Sequence, residues 1–221
     1  METPNANEIF VLIACEESQV ECQAFRDAGC VAYSCDIQPV RRGGNPSWHI
    51  QADVTQFLTG WHFFTTQDGE RRWVPRWDLI VAHPPCTYLC KVGSVQLKKD
   101  GKVDAERYAK MMQAREFFMK CYNAHAGYVA VENPLPMKRA GLPKPSCFIQ
   151  PFWYGHKYSK KTLYWLKNLP PLFPEIENPE YKEFVRSSRG KYGSRTFEGV
   201  ARAMARQWVP WIKEDLRITP G

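Results

Sequence analysis

The sequence predicts an α/β fold: a Rossmann-like, mostly parallel sheet with helices on both faces. Three observations lead there. Short apolar runs alternate with stretches whose apolar residues recur at helical spacing through the first two thirds of the chain. The runs stop at polar residues or turns, which gathers polar groups at strand C-terminal ends, where ligands of such sheets bind. Finally, 221 residues at 44% hydrophobic content suffice for one substantial core and are short for two. A single domain spanning 1–221 is expected.

The elements follow in order. Residues 9–14 are an apolar run, 15–18 a polar turn, and Val20, Ala24, Phe25 and Ala28 then share a helical face up to Gly29. A second strand over 31–35 stops at Asp36, and a third over 78–82 stops at His83-Pro84-Pro85-Cys86. Across 104–122, Met111, Ala114, Phe118 and Cys121 lie on one helical face, and a strand over 128–131 stops at Glu132. Two segments interrupt the alternation. Residues 61–77 carry Asp68-Gly69 between short, partly alternating arms, a hairpin signal, together with Arg71, Arg72 and Arg76. Residues 134–151 and 170–179 are proline-rich, which predicts extended loops and excludes long helices. The last helix is expected over 198–212, and there is no internal repeat or low-complexity tract.

Composition narrows the function classes. No apolar run approaches the length of a membrane span, and the first residues are polar and acidic, unlike a signal peptide. The eight cysteines lie mostly in or beside apolar segments with no CxxC pair, which fits reduced thiols in cytoplasm and no metal. A net charge of +7 suits a polyanionic partner, although moderate positive charge is common elsewhere.

Cys86 is the first candidate for chemistry. Two prolines directly after an apolar strand stiffen the turn and aim the next side chain outward, where a thiol can act as a nucleophile in an electropositive pocket. The plain alternative is a buried structural cysteine. Cys90 and His83 make only one metal-like pair, too little for a site. Glu132, at the end of another buried strand and followed by Asn133-Pro134, is the second candidate. A half-buried carboxyl there can pass a proton to a ring nitrogen; equally, it can cap a nearby backbone amide.

Together these motifs resemble those of the DNA cytosine-C5 methyltransferases, and most closely short phage-type members. Pro84-Pro85-Cys86 resembles the family's Pro-Cys nucleophile motif and Glu132-Asn133 its Glu-Asn motif, in the family's order. Asp36, with Ile37 beside it, resembles the ribose-binding acid at the end of the second strand, Asp53 the acid near the adenine, and Gly193-Ser194-Arg195 with Ala201 the closing motif. The resemblance implies a cytoplasmic, phage-encoded enzyme that binds S-adenosyl-L-methionine and methylates C5 of cytosine in DNA, duplex or single-stranded. Cys86 and Glu132 would be catalytic. Cys15, Glu16, Glu17, Asp36, Ile37, Asp53, Pro84, Ser194 and Arg195 would meet the cofactor, and Pro85, Asn133, Lys160, Lys161, Arg71 and Arg72 the substrate.

The departures from the family are specific. Ala14-Cys15-Glu16-Glu17-Ser18 stands where the family has Phe-x-Gly-x-Gly, so close backbone approach to the cofactor must be arranged without glycine. Glu16 or Glu17 would face the cofactor's ammonium group, or else simply sit in a helix's first turn. Lys160-Lys161-Thr162 replaces Gln-x-Arg-x-Arg, and there is no room for a large recognition domain. Weak sequence specificity follows, or a short context read by the 61–77 insertion. Arg41, Arg42, Arg71, Arg72, Arg186, Arg189, Lys191 and Arg195, interleaved with Trp48, Trp73 and Tyr192, suit a phosphate-tracking surface with stacking platforms, or ordinary solvated loops. Four other readings stay open. The donor would be a carboxylated sulfonium analogue paired by Arg195 or Lys191, the substrate a free cytosine nucleotide, the acceptor a base amino group, or the chain a nucleic-acid-binding protein on a decayed methyltransferase fold.

Overall fold

The computed structural model describes residues 7–60, 62–91, 97–99, 102–180, 183–184 and 196–218. Numbering only the strands of the central sheet, these are β1 (Phe10–Ala14), β2 (Val31–Asp36), β3 (His49–Gln51), β4 (Leu79–Ala82), β5 (Tyr128–Asn133), β6 (Cys147–Ile149) and β7 (Thr162–Lys167). The helices are α1 (Val20–Asp27), α2 (Thr55–Leu58), α3 (Ala105–Tyr122) and α4 (Glu198–Asp215). The seven strands lie in the order β6-β7-β5-β4-β1-β2-β3. All neighbours are parallel except β7, which runs against both β5 and β6. The α/β architecture read from the sequence, a mostly parallel sheet with helices on both faces, is the one observed.

Strand parity explains the layers. Val11 and Ile13 of β1, Val81 of β4 and Ala130 of β5 pack with α1 and α4 on one face. Phe10, Leu12 and Ala14, with Ile80, Ala82, Val129 and Val131, pack with α2 and α3 on the other. Because both faces are covered, β1 is buried at all five positions and reads as an unbroken apolar run. Each fully buried aliphatic side chain contributes about 1.5–3 kcal/mol, so this two-sided burial is the main source of stability.

The chain first winds from β1 outward through β2 to β3, then returns to place β4 on β1's other side. The order therefore reverses between β1 and β4, and the loops leaving these two strands part there to open a crevice. Since β7 is antiparallel, its first residues lie at the same edge as the last residues of β4 and β5.

Several elements exceed the sequence reading. Strand β5 runs on through Glu132 and Asn133, because β7 pairs Tyr164 with Glu132 and Leu163 with Asn133 and so extends the ladder. The proline-rich 134–151 segment, expected as loop, contains β6, which finds its hydrogen bonds on β7. Helix α4 continues past Ile212 to Asp215 and carries Pro210 within it. Phe63–Thr65 and Arg71–Trp73 pair antiparallel around Gly69, and Gln67 N–H ties this hairpin to the His49 carbonyl at 2.8 Å. Among the described residues, no helix is long and apolar enough to cross a membrane.

Asp78 joins the starts of β1 and β4. It is 4% exposed, accepts from Phe10 N–H at 2.8 Å and from Arg76 Nε at 2.5 Å. Asp78→Ala leaves a buried amide and a guanidinium without their acceptor, a loss of about 2 kcal/mol. The urea midpoint should fall accordingly with an unchanged slope.

Candidate active site

The loops at the C-terminal edge enclose a cavity of about 370 Å³. Cys15, Glu16, Glu17 and Ser18 line it from the end of β1, and His83, Pro84, Pro85, Cys86 and Thr87 from the end of β4. Glu132 and Pro134 enter from β5, Lys160, Thr162 and Tyr164 from the start of β7, and Phe197 and Val200 from the start of α4. Thus Cys86, Glu132 and Lys160, distant in sequence, share one cavity.

Parity also sets the directions of the polar groups. Ala82 pairs with Val131, so His83 and Glu132 are the next residues on adjacent parallel strands, both pointing to the α1 side. His83 Nδ1 lies 3.7 Å from Glu132 Oε2, while its Nε2–H donates to Glu21 Oε2 of α1 at 2.7 Å. Burial alone would lower the His83 pKa. The Glu21 charge, with Glu132 behind it, overcomes that and holds the pKa well above the usual histidine value. His83 was noted in the sequence only as half of a discarded metal pair, and Glu21 was not singled out, because its partner is 62 residues away.

Cys86 sits on a tight turn whose carbonyl accepts from the N–H groups of Leu89 and Cys90 at 2.9 Å. Its thiol is half-buried, and burial, then the charges of Glu132 and Cys90, push its pKa up to about 11. The thiol is therefore protonated near neutrality, and ionising it needs a base beside it or a new positive charge.

Glu16 behaves as a helix cap. The residue before α1, Gln19, has φ 59° and makes no capping bond with its own side chain. Glu16 reaches in to accept from Glu21 N–H at 2.8 Å and Cys22 N–H at 3.2 Å. Burial first, then the charge of Glu21, raise its carboxyl to about 7. Glu17 pairs with Arg41 at the mouth of the cavity, so neither acid of this loop is without a partner. Cys15 turns the loop at φ 61°, a left-handed conformation held here by a residue other than glycine.

The remaining sequence candidates among the described residues lie away from the cavity. Asp36 and Asp53 stand at the same edge beyond Cys15, whose half-buried thiol feels both charges, though neither lines the cavity. Ile37 beside them is 68% exposed, the most exposed large apolar side chain among the described residues. Asn133 points to the opposite face from Glu132, fully buried, and neither of its amide atoms has a partner among the described residues. Lys161 lies outside the cavity over the Phe148 ring, and Arg71 and Arg72 are on the hairpin beyond β3. Ser194 and Arg195, with Lys191, lie outside the described residues. No group of three or more metal-ligating side chains occurs among the described residues.

Helix α4 closes the cavity by an unusually close approach. A Cβ on Gly199 would stand 2.1 Å from the Tyr154 carbonyl, so only glycine fits, and Gly199 N–H donates to His156 Nε2 at 2.9 Å. This contact brings Phe197 and Val200 against the site.

No family model and no curated protein matches the sequence. Among solved structures, a prophage-encoded E. coli protein provisionally named a DNA modification methyltransferase is 15% identical, with a TM-score of 0.44. The match covers 79% of this chain and 53% of that one, so the chain spans about half of that protein's length.

Two tests follow from this geometry. Because the folded Glu16 carboxyl binds its proton more tightly than in the unfolded chain, its contribution to stability declines as pH rises from 4.5 through about 7. The decline is at most about 3 kcal/mol. Glu16→Gln does not ionise, so its stability relative to wild type should improve across that window in urea titrations at several pH values. Asn133→Leu replaces an amide that costs about 1–3 kcal/mol to bury unpaired with an apolar side chain of similar shape. A higher melting temperature is expected.

Proposed function

We propose that this chain transfers a methyl group from S-adenosyl-L-methionine to C5 of cytosine in DNA, with Cys86 as nucleophile and Glu132 as acid–base group. The observation that carries the reading is the meeting of Cys86, Glu132 and Lys160 in one cavity beside the sheet's reversal point. That is where open α/β sheets bind their ligands.

The donor set suits an adenosyl cofactor. Asp36 and Asp53 offer carboxylates for ribose hydroxyls and an adenine amino group, and exposed Ile37 offers an apolar face for a flat ring. The Glu17–Arg41 pair, with both signs at the cavity mouth, suits a zwitterionic amino-acid end. The cofactor supplies an electrophilic methyl group; the chain's own residues prepare the base.

In this mechanism Sγ of Cys86 bonds to C6 while its proton passes to the Glu132 carboxylate. The C5=C6 electrons move into C4–C5, the C4=N3 pair moves to N3, and Glu132 delivers the proton there. C5 is then nucleophilic enough to take the methyl group. Loss of the C5 proton and of the N3 proton, with cleavage of Sγ–C6, restores aromaticity and the thiol. The high thiol pKa favours this shuttle over a standing thiolate. Lys160 at the cavity wall would pair with a phosphate, with Lys161 next to it and Arg71 and Arg72 on the separate hairpin beyond β3 offering further phosphate contacts. A base in duplex DNA must be flipped into the cavity at a cost of a few kcal/mol, which a single strand largely avoids.

The test is mass spectrometry of the protein with S-adenosyl-L-methionine and an oligonucleotide carrying 5-fluorocytosine. Wild type should form a covalent adduct and Cys86→Ser none, with single-stranded DNA reacting faster than duplex. Methylation that survives in Cys86→Ser would move the acceptor to a base amino group, and DNA binding without cofactor binding would leave a nucleic-acid-binding protein.

A further inference from the structure

The surroundings of His83 exceed what Cys86 and Glu132 need. Glu21 is fully buried in the first turn of α1, and one of its oxygens, Oε1, has no partner among the described residues. Its other oxygen takes the His83 Nε2–H at 2.7 Å. A buried carboxylate with half its acceptors unused is costly unless its one partner carries charge. A purely structural pair tying α1 to β4 would end there. Here the second ring nitrogen, Nδ1, faces Glu132 at 3.7 Å, inside the cavity.

We propose that Glu21 and His83 are the positioning residues of the active site: Glu21 anchors the His83 ring at 2.7 Å, and the ring's other edge, 3.7 Å from Glu132, sets that carboxylate's orientation toward the reacting base. The inference rests on the cytosine reading. It assigns Glu132's orientation to a group on a neighbouring strand and leaves the bond-making steps to Cys86 and Glu132. A charged His83 ring favours the carboxylate that begins and ends the proton relay. Other titratable groups line the same cavity. Glu16 lies on the loop after β1, Cys86 on His83's own loop, and Tyr164 and Lys160 on β7 and just before it. Arg41 and Glu17 neutralise one another at the mouth.

The experiment measures kcat, KM and their pH profiles for wild type, His83→Gln and Glu21→Gln, using S-adenosyl-L-methionine and a cytosine oligonucleotide. Circular dichroism and melting accompany each variant. Both variants should lose ten-fold or more in kcat, with KM for oligonucleotide and cofactor within about three-fold, because the pair acts through Glu132. In Glu21→Gln the alkaline limb of the kcat profile should move to lower pH, since His83 loses the charge that holds its pKa up, and in His83→Gln that limb should be absent. If His83→Gln fails to fold, Glu21→Gln, which retains the imidazole, decides alone. Full activity, or slower turnover with an unmoved profile, overturns the positioning role and leaves a structural pair. Absence of a wild-type 5-fluorocytosine adduct instead overturns the cytosine reading, and this inference with it.

Discussion

Side chains alternate between the two faces of a strand, and in this chain helices cover both faces, so a polar group has no tolerable place along β1, β4 or β5 except at the ends. The same rule that fills the interior with Val, Leu, Ile and Ala expels His83, Cys86 and Glu132 to one edge. The in-register pairing of Ala82 with Val131 then fixes that His83 and Glu132 emerge side by side and on the same face. A one-residue slip in either strand would send one of them toward α3 and dissolve the cluster. Register is thus the constraint on which the site depends, and it is secured by burial far from the site, as well as by Asp78 at the opposite end of the strands.

The electrostatics at that edge follow from crowding. Glu16, Glu21 and Glu132 stand around one imidazole in surroundings that water barely reaches. Two responses reduce the strain of so many acids: Glu16 shares its charge with the free N–H groups of α1 and holds its proton more tightly, and His83 gains a charge. Burial, with the charge of Glu132 added to it, keeps the Cys86 thiol protonated. Under the proposed function, such surroundings would favour proton movement coupled to bond formation, since separated charges of the wrong sign are expensive there.

Closure of the cavity depends on two antiparallel or late features. Strand β7, wedged between β5 and β6 in the opposite direction, brings Lys160, Thr162 and Tyr164 to the edge where the parallel strands end. Helix α4 supplies the last wall, and its approach is set by Gly199 against the Tyr154 carbonyl and by His156 capping its first turn. The helix lacks a side-chain cap of its own, so its starting point is defined by tertiary contact more than by local sequence.

What the sequence determined by itself was local. Unbroken apolar runs announced β1, β2, β4 and β5, the helical spacing of Met111, Phe118 and Cys121 announced α3, and the prolines before Cys86 announced a stiff turn at a strand end. Cys86 and Glu132 were visible as candidates because strand ends are where polar residues leave a covered sheet. What only the tertiary structure decided was pairing between distant segments. Short β3 and β6, and the extension of β5 through Asn133, exist because neighbouring strands supply their hydrogen bonds, a property no local pattern encodes. Glu16 read equally as a cofactor contact or a helix-turn acid, and only the fold of the loop through Cys15 made it a cap. The Glu21–His83 pair was silent in the sequence for the same reason. Each residue is ordinary in its own segment, and their chemistry arises only when burial brings α1 against the end of β4.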